Sequence, residues 1–166
     1  MEAIKQRERI YSWGNPLEGV EWSKYLSGLA YLLAIKRGEA PASPLMNTLE
    51  FSLGEIEEGK ASFHFEPQEF HYNPNGSVHG GVITAILDSA MGCTLHSLLP
   101  KGMVYTTLEL KINFLKMVRS ETGMLTATGK MIHMGSKTAL VEASLRDSNG
   151  KKYAYGVSTC MLLKNE

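Results

Sequence analysis

Between Glu69 and Lys101 the chain carries one formally charged side chain, Asp88, and around it stand Ile83, Ala85, Ile86, Leu87, Ala90 and Met91. Apolar residues on nearly every side of a helical stretch mean burial on nearly every side. The run from Gly80 to Leu99 is long enough to cross a bilayer. Asp88 at its middle would cost about 2.5–3.5 kcal/mol there, so the expected setting is the interior of a water-soluble domain. A fold that wraps one long helix is the arrangement this stretch demands.

The flanking segments supply the wrapping. Positions 46–57 and 60–67 read as paired strands around the turn "EEGK", with Leu49, Phe51 and Leu53 alternating before it and Phe63 and Phe65 after it. After the helix, Leu108, Leu110, Ile112 and Phe114 alternate with Thr107, Glu109, Lys111 and Asn113, which predicts one core face and one polar face. Runs at about 122–133, 137–147 and 151–163 read as further strands, and "DSNG" (147–150) is a hairpin turn between the last two. Two strands, a long helix and four strands do not alternate as a doubly wound parallel sheet does. The expected class is α+β, an antiparallel sheet packed on one buried helix.

Ahead of this body, positions 21–37 predict a single amphipathic helix ending in Lys36, Arg37 and Gly38, and "APASP" (40–44) interrupts regular structure. Residues 1–45 are thus expected to form a helical extension and linker, and residues 46–166 the main domain. "LSGLAYLLAI" (26–35) resembles the apolar part of a signal segment, but it starts late and "KRGEA" is a poor cleavage context, so no membrane attachment is expected. Seventeen basic and seventeen acidic residues cancel, which gives no footprint for nucleic acid and requires an anionic ligand to be met locally. Cys93 and Cys160 lie apart in apolar surroundings and read as reduced thiols of a cytoplasmic protein.

Asp88 is the first candidate for chemistry, because a carboxylate among apolar neighbours must find a partner or shift its pKa. The second lies in "NPNGSVHGG" (73–81). A helix starting near Gly80 or Gly81 leaves its first N–H groups without intrahelical acceptors, and glycine permits close approach to them. With the helix dipole they form the parts of an oxyanion hole. Gly81 and Asp88 are seven residues apart, about 10 Å along one helix axis, too far to act on a single carbonyl. Were both to act on it, Asp88 would have to come from a second, antiparallel copy of the helix, as in a two-fold dimer. His71 and His79 lack a third nearby ligand, and no metal is expected.

"NPNGSVHGGVITAILDSAMG", followed by "TTLELKINFL" and "DSNGKKYAYGVST", resembles the hotdog-fold acyl-coenzyme A thioesterases, in the branch of the phenylacetic-acid-pathway thioesterase and the human thioesterase-superfamily-member proteins. The match spans about residues 46–163. It implies a curved antiparallel sheet of about six strands around a central helix, and homodimers, often paired into homotetramers. It also implies Asp88 as general base or nucleophile, and the Gly81 N–H polarising the thioester carbonyl across the dimer. His79 would support the turn, Asn73 would orient water or substrate, and Thr107, with Thr106 equally available, would sit near the attacking water.

Coenzyme A, here part of the substrate rather than a cofactor, carries phosphates. Lys116 and Arg119 after the first post-helix strand and the turn Gly135, Ser136 and Lys137 are candidates to meet them, beside Gly80 at the helix start. The chain departs from many relatives in reading "FLKMVRSETG" where they carry a proline. No G-x-S-x-G elbow is present to support a serine hydrolase. A hotdog hydratase or dehydratase would want a histidine and an acid paired on the helix, whereas His79 precedes it and His96 ends it. A binding or sensing protein without turnover is the non-enzymatic alternative, and a desolvated carboxylate is a poor feature for it.

Overall fold

The computed structural model describes residues 6–165. Three short helices come first: α1 (Glu18–Tyr25), α2 (Gly28–Lys36) and α3 (Pro44–Leu49). Strands β1 (Phe51–Glu57) and β2 (Lys60–Phe65) lead to the long helix α4 (Gly80–His96). Strands β3 (Met103–Phe114), β4 (Leu125–Met134), β5 (Thr138–Asp147) and β6 (Lys152–Lys164) follow. All six strands form one sheet in the order β1-β2-β4-β5-β6-β3, antiparallel at every pairing. This is the hotdog fold, with α4 inside the curve of the sheet. Among the described residues no helix is long and apolar enough to cross a membrane.

The sheet closes on α4 because the helix offers apolar side chains on most of its circumference. Ile83, Ile86, Leu87, Ala90, Met91 and Leu95 are buried against Phe63, Phe65, Leu125, Val141 and Leu145. Each fully buried large side chain contributes roughly 1.5–3 kcal/mol. Close approach needs small residues opposite the helix: a Cβ on Gly129 of β4 would stand 2.5 Å from the Ala90 carbonyl oxygen. The C-terminal end of α4 is tied to the β1–β2 hairpin. Thr94 Oγ1 accepts from the Ala61 N–H and Ser97 Oγ from the Gly59 N–H.

Three expectations change. The predicted helix over 21–37 is two helices, because Leu26 and Ser27 are extended and the Ser27 hydroxyl accepts from the Ala30 N–H to start α2. The break sets Gly28 against α4, where a Cβ would lie 1.7 Å from the His96 carbonyl oxygen. The strand expected from position 46 begins at Phe51. Pro44 opens α3 in the first helical turn, where its missing N–H costs nothing, and Glu50 ends it in the left-handed region at φ 49°.

The third change concerns β3. Thr107 pairs with Cys160 and Glu109 with Thr159, so Leu108 is an extra, bulged residue. A bulge reverses the facing of residues on either side of it. Leu110 and Ile112 pack on the core as expected, but Leu108 and Phe114 are 55% and 54% exposed, and Thr107 turns inward instead of sharing the outer face of Glu109.

Candidate active site

Asp88 lies half-buried at the middle of α4, and its Oδ1 accepts a hydrogen bond from Thr107 Oγ1 at 3.2 Å. Burial raises the carboxyl pKa above its ordinary value, and the Thr107 hydroxyl partly opposes that. A carboxylate so placed is a stronger base than one in water, and the single contact at Oδ1 leaves Oδ2 available to a water molecule. The bulge at Leu108 is what delivers Thr107 to Asp88. Beside them Cys93 has its thiol pKa pushed up to about 12 by burial and by the Asp88 charge, so it is no nucleophile at neutral pH. Cys93 and Cys160 are both free.

The start of α4 is a separate place. His79 is the N-cap, and its Nδ1 accepts from the Gly81 N–H at 2.9 Å while its carbonyl receives the Val82 N–H. The Gly80 N–H has no protein acceptor among the described residues. The Asn73 side chain holds its own turn: Oδ1 accepts from the Asn75 N–H at 2.9 Å, and Nδ2 donates to Ser77 Oγ. Gly76, at φ +75°, completes that turn. Asn73, Gly80 and Lys116 line a cleft of about 370 Å³ with Ser77 and Phe114. His71 is spoken for on both ring nitrogens, by the Gln68 N–H at Nδ1 and the Leu49 carbonyl at Nε2.

The predicted residues therefore fall into two groups within one chain. Asn73, His79, Gly80, Gly81 and Lys116 gather at the N-terminus of α4, with exposed Arg119 just beyond, whereas Asp88 and Thr107 meet at its middle. The turn of Gly135, Ser136 and Lys137 belongs with the second group. The Lys137 carbonyl accepts from Leu162, next to Met161, which pairs with Thr106 on β3. Lys116 follows the opposite end of β3.

From sequence the N-terminal helix could cover the sheet, shape the acyl pocket or extend the dimer; the structure sets the N-terminal helices around a cavity of about 770 Å³ beside α4 and β3, whose lining residues sequence reasoning, Thr107 and Thr106 aside, did not single out as a site. Thr107, Tyr105, Cys93 and His96 form its inner wall. The available signal was the second apolar stretch, "LSGLAYLLAI". Its Leu32 is buried with Ile56 and Ala61 of the hairpin, beside Cys93 of α4.

Comparison with known proteins bears on these features. Residues 75–154 match the family model described as the thioesterase superfamily. A 1,4-dihydroxy-2-naphthoyl-CoA hydrolase from Listeria monocytogenes is 30% identical over 108 residues, 64% of this chain and 85% of that protein. The crystal structure of a phenylacetic acid degradation-related protein from Ralstonia eutropha JMP134 superposes with a TM-score of 0.72 at 27% identity, covering 79% of this chain and 98% of the other. The PaaI protein of the E. coli phenylacetic acid degradation operon gives a TM-score of 0.71 at 22% identity, covering 83% and 96%.

Proposed function

The chain belongs to the thioesterase superfamily, and from that premise we propose that it hydrolyses an acyl-CoA to the free acid and coenzyme A, with Asp88 as the base. The observation that carries this reading is the desolvated Asp88 carboxylate held through one oxygen by Thr107. In the reaction Asp88 takes a proton from water as the hydroxyl adds to the thioester carbonyl. The C–S bond then breaks, and the proton goes to the departing thiolate.

The carbonyl oxygen is stabilised at the N-terminus of α4, by the Gly80 N–H and by the Gly81 N–H, for which the exposed His79 ring is a competing acceptor. Because the two groups sit apart on one helix, the working site combines Asp88 of one subunit with Gly81 of the partner subunit. Strand β3 supports that pairing. It is an edge strand whose outer side carries no neighbour among the described residues, and Leu108, Phe114, Leu115 and Met117 are exposed along and just after it. Pairing β3 antiparallel with its own copy about a two-fold axis between Leu110 and Lys111 would set Phe114 of the partner subunit opposite Thr107. Phe114 is the ring packed on Gly80, so the partner's helix start arrives beside Asp88. The same axis brings Lys116 of the partner subunit towards the turn of Gly135, Ser136 and Lys137, a place suited to coenzyme A phosphates. A homodimer, alone or doubled into a homotetramer, is thus part of the proposal.

The test is thiol release from a panel of acyl-CoA esters by wild type and by Asp88→Asn. Turnover by wild type with a loss of about 10²-fold or more in the variant is expected. Equal turnover by both proteins defeats the role of Asp88, and tight binding without turnover by wild type favours a sensor. A mixed dimer of Asp88→Asn and Gly81→Trp subunits keeps one intact site and should recover activity that neither homodimer has. A dead hybrid of folded subunits defeats the shared site.

A further inference from the structure

The 770 Å³ cavity has no counterpart in the catalytic reading above, yet it reaches Thr107, the hydrogen-bond partner of Asp88. Protein interiors pack at the density of organic crystals, with few voids larger than a water molecule, while ligand pockets span about 300–1,000 Å³. A void of this size beneath an otherwise well-anchored segment is therefore a pocket. The anchoring is specific: the Gly28 N–H donates to the Leu99 carbonyl, and the Gly102 N–H donates to the Ser23 carbonyl. Asn165 Nδ2 donates to Ser23 Oγ at 2.6 Å. The N-terminal helices are thus fixed at their edges, with the cavity enclosed between them, α4 and β3.

The shape follows from its walls. One end is Thr107, hydrogen-bonded to Asp88, and the inner wall continues through Cys93 to His96 at the end of α4. From Asp88 to His96 that helix advances eight residues, about 12 Å. The floor and roof are apolar, formed by Leu53 and Phe63 on the hairpin and by Leu32 and Ile35 on α2. Polar side chains gather at the far end, at Asn15, Ser23 and Asn165. His96 does not break the apolar character, since burial keeps its ring on the neutral side and both its nitrogens are enclosed rather than presented to a ligand.

We propose that the N-terminal extension is the outer wall of an acyl-chain pocket, that the substrate is an acyl-CoA with an extended apolar chain rather than a short or compact aromatic acyl group, and that Ile35 on the α2 wall sets how much room the chain has. This rests on the thioesterase reading for the position of the thioester. The extension lies outside residues 75–154, so the selectivity it sets is a property of this chain rather than of the matched domain. A compact acyl group would leave most of the length beyond Cys93 unfilled.

The experiment compares kcat/KM on acetyl-, phenylacetyl-, decanoyl- and palmitoyl-CoA for wild type, Ile35→Trp and Ile35→Ala, each checked for folding by circular dichroism. Wild type should prefer decanoyl- or palmitoyl-CoA. Ile35→Trp should lower the decanoyl-to-acetyl ratio about tenfold, and Ile35→Ala should move the preference towards palmitoyl. A wild-type preference for acetyl- or phenylacetyl-CoA, or equal losses on every ester, overturns the proposal. Should wild type cleave none of the esters, the thioesterase reading is what fails. The pocket is then judged by fluorescence of cis-parinaric acid: saturable binding that Ile35→Trp weakens about tenfold upholds it, and no binding overturns it.

Discussion

Thr107 Oγ1 donates to Asp88 Oδ1 at 3.2 Å, across a gap that the strand could not bridge without the extra residue at Leu108. On a regular strand Thr107 would share the outer face of Glu109, and Asp88 would meet the sheet with no hydroxyl opposite. The bulge therefore links a backbone irregularity to the protonation behaviour of one carboxyl group.

That link makes Thr107→Val informative. Removing the hydroxyl takes away the interaction that lowers the Asp88 pKa and leaves the larger effect of burial unopposed. The acidic limb of the kcat/KM profile should move to higher pH, because the base is active only when deprotonated. Thr107→Ser should hold the limb near its wild-type place. A pH–rate profile of the three proteins measures this, and a limb that stays put in Thr107→Val shows that the hydroxyl does not tune the carboxyl.

Asp88→Asn should separate stability from activity. The folded carboxyl has a raised pKa, so the native state holds its proton more tightly than the unfolded chain does. Its ionisation therefore weakens the fold as pH rises from the ordinary 3.8 through the raised value. At neutral pH the uncharged amide removes that penalty. Urea unfolding should show Asp88→Asn equal to or more stable than wild type while activity is lost, and a less stable variant contradicts the burial argument.

His71 and His96 impose the opposite pH dependence. Burial lowers both imidazoles from the ordinary 6.5, so the unfolded chain protonates first as the solution is acidified. Stability should be level above that value and fall as pH drops from it towards the lowered folded values. Both His96 nitrogens are buried without partners, which costs about 1–3 kcal/mol where a shape-filling apolar group would cost nothing. His96→Leu should raise the urea midpoint at about pH 7 and flatten the decline below the ordinary 6.5. An unchanged slope would assign that decline elsewhere.

His79 caps α4 through Nδ1, so His79→Ala should cost about 1 kcal/mol of stability. Asparagine is among the best capping residues, and His79→Asn should recover most of that loss in thermal denaturation. Failure of Asn to recover it would mean that the imidazole is held for another purpose.

Much of this molecule was legible before folding was considered. An apolar helix with one acid, a hairpin ahead of it and four strands behind it specified the α+β class, because buried area and period-two alternation are local properties of sequence. Gly80 and Gly81 announced the start of α4 by the chemistry of helix ends, and the structure adds His79 as its N-cap. Local pattern misled where a contact distant in sequence decided the outcome. The split between α1 and α2 serves the fit of Gly28 against His96, and α3 forms where alternation at Leu49 suggested a strand.

Residue type and spacing alone determined that this chain would bury a helix, that the helix would carry a lone carboxylate, and that its N-terminus would present glycine backbone. The tertiary structure decided which hydroxyl meets Asp88, because a one-residue bulge changes facing without leaving a compositional trace. It also decided that the N-terminal helices stand off the core around a cavity rather than filling it. Hydrophobic pattern records how much surface a segment must hide, whereas the space left between two hidden surfaces depends on their relative placement, which no single segment encodes.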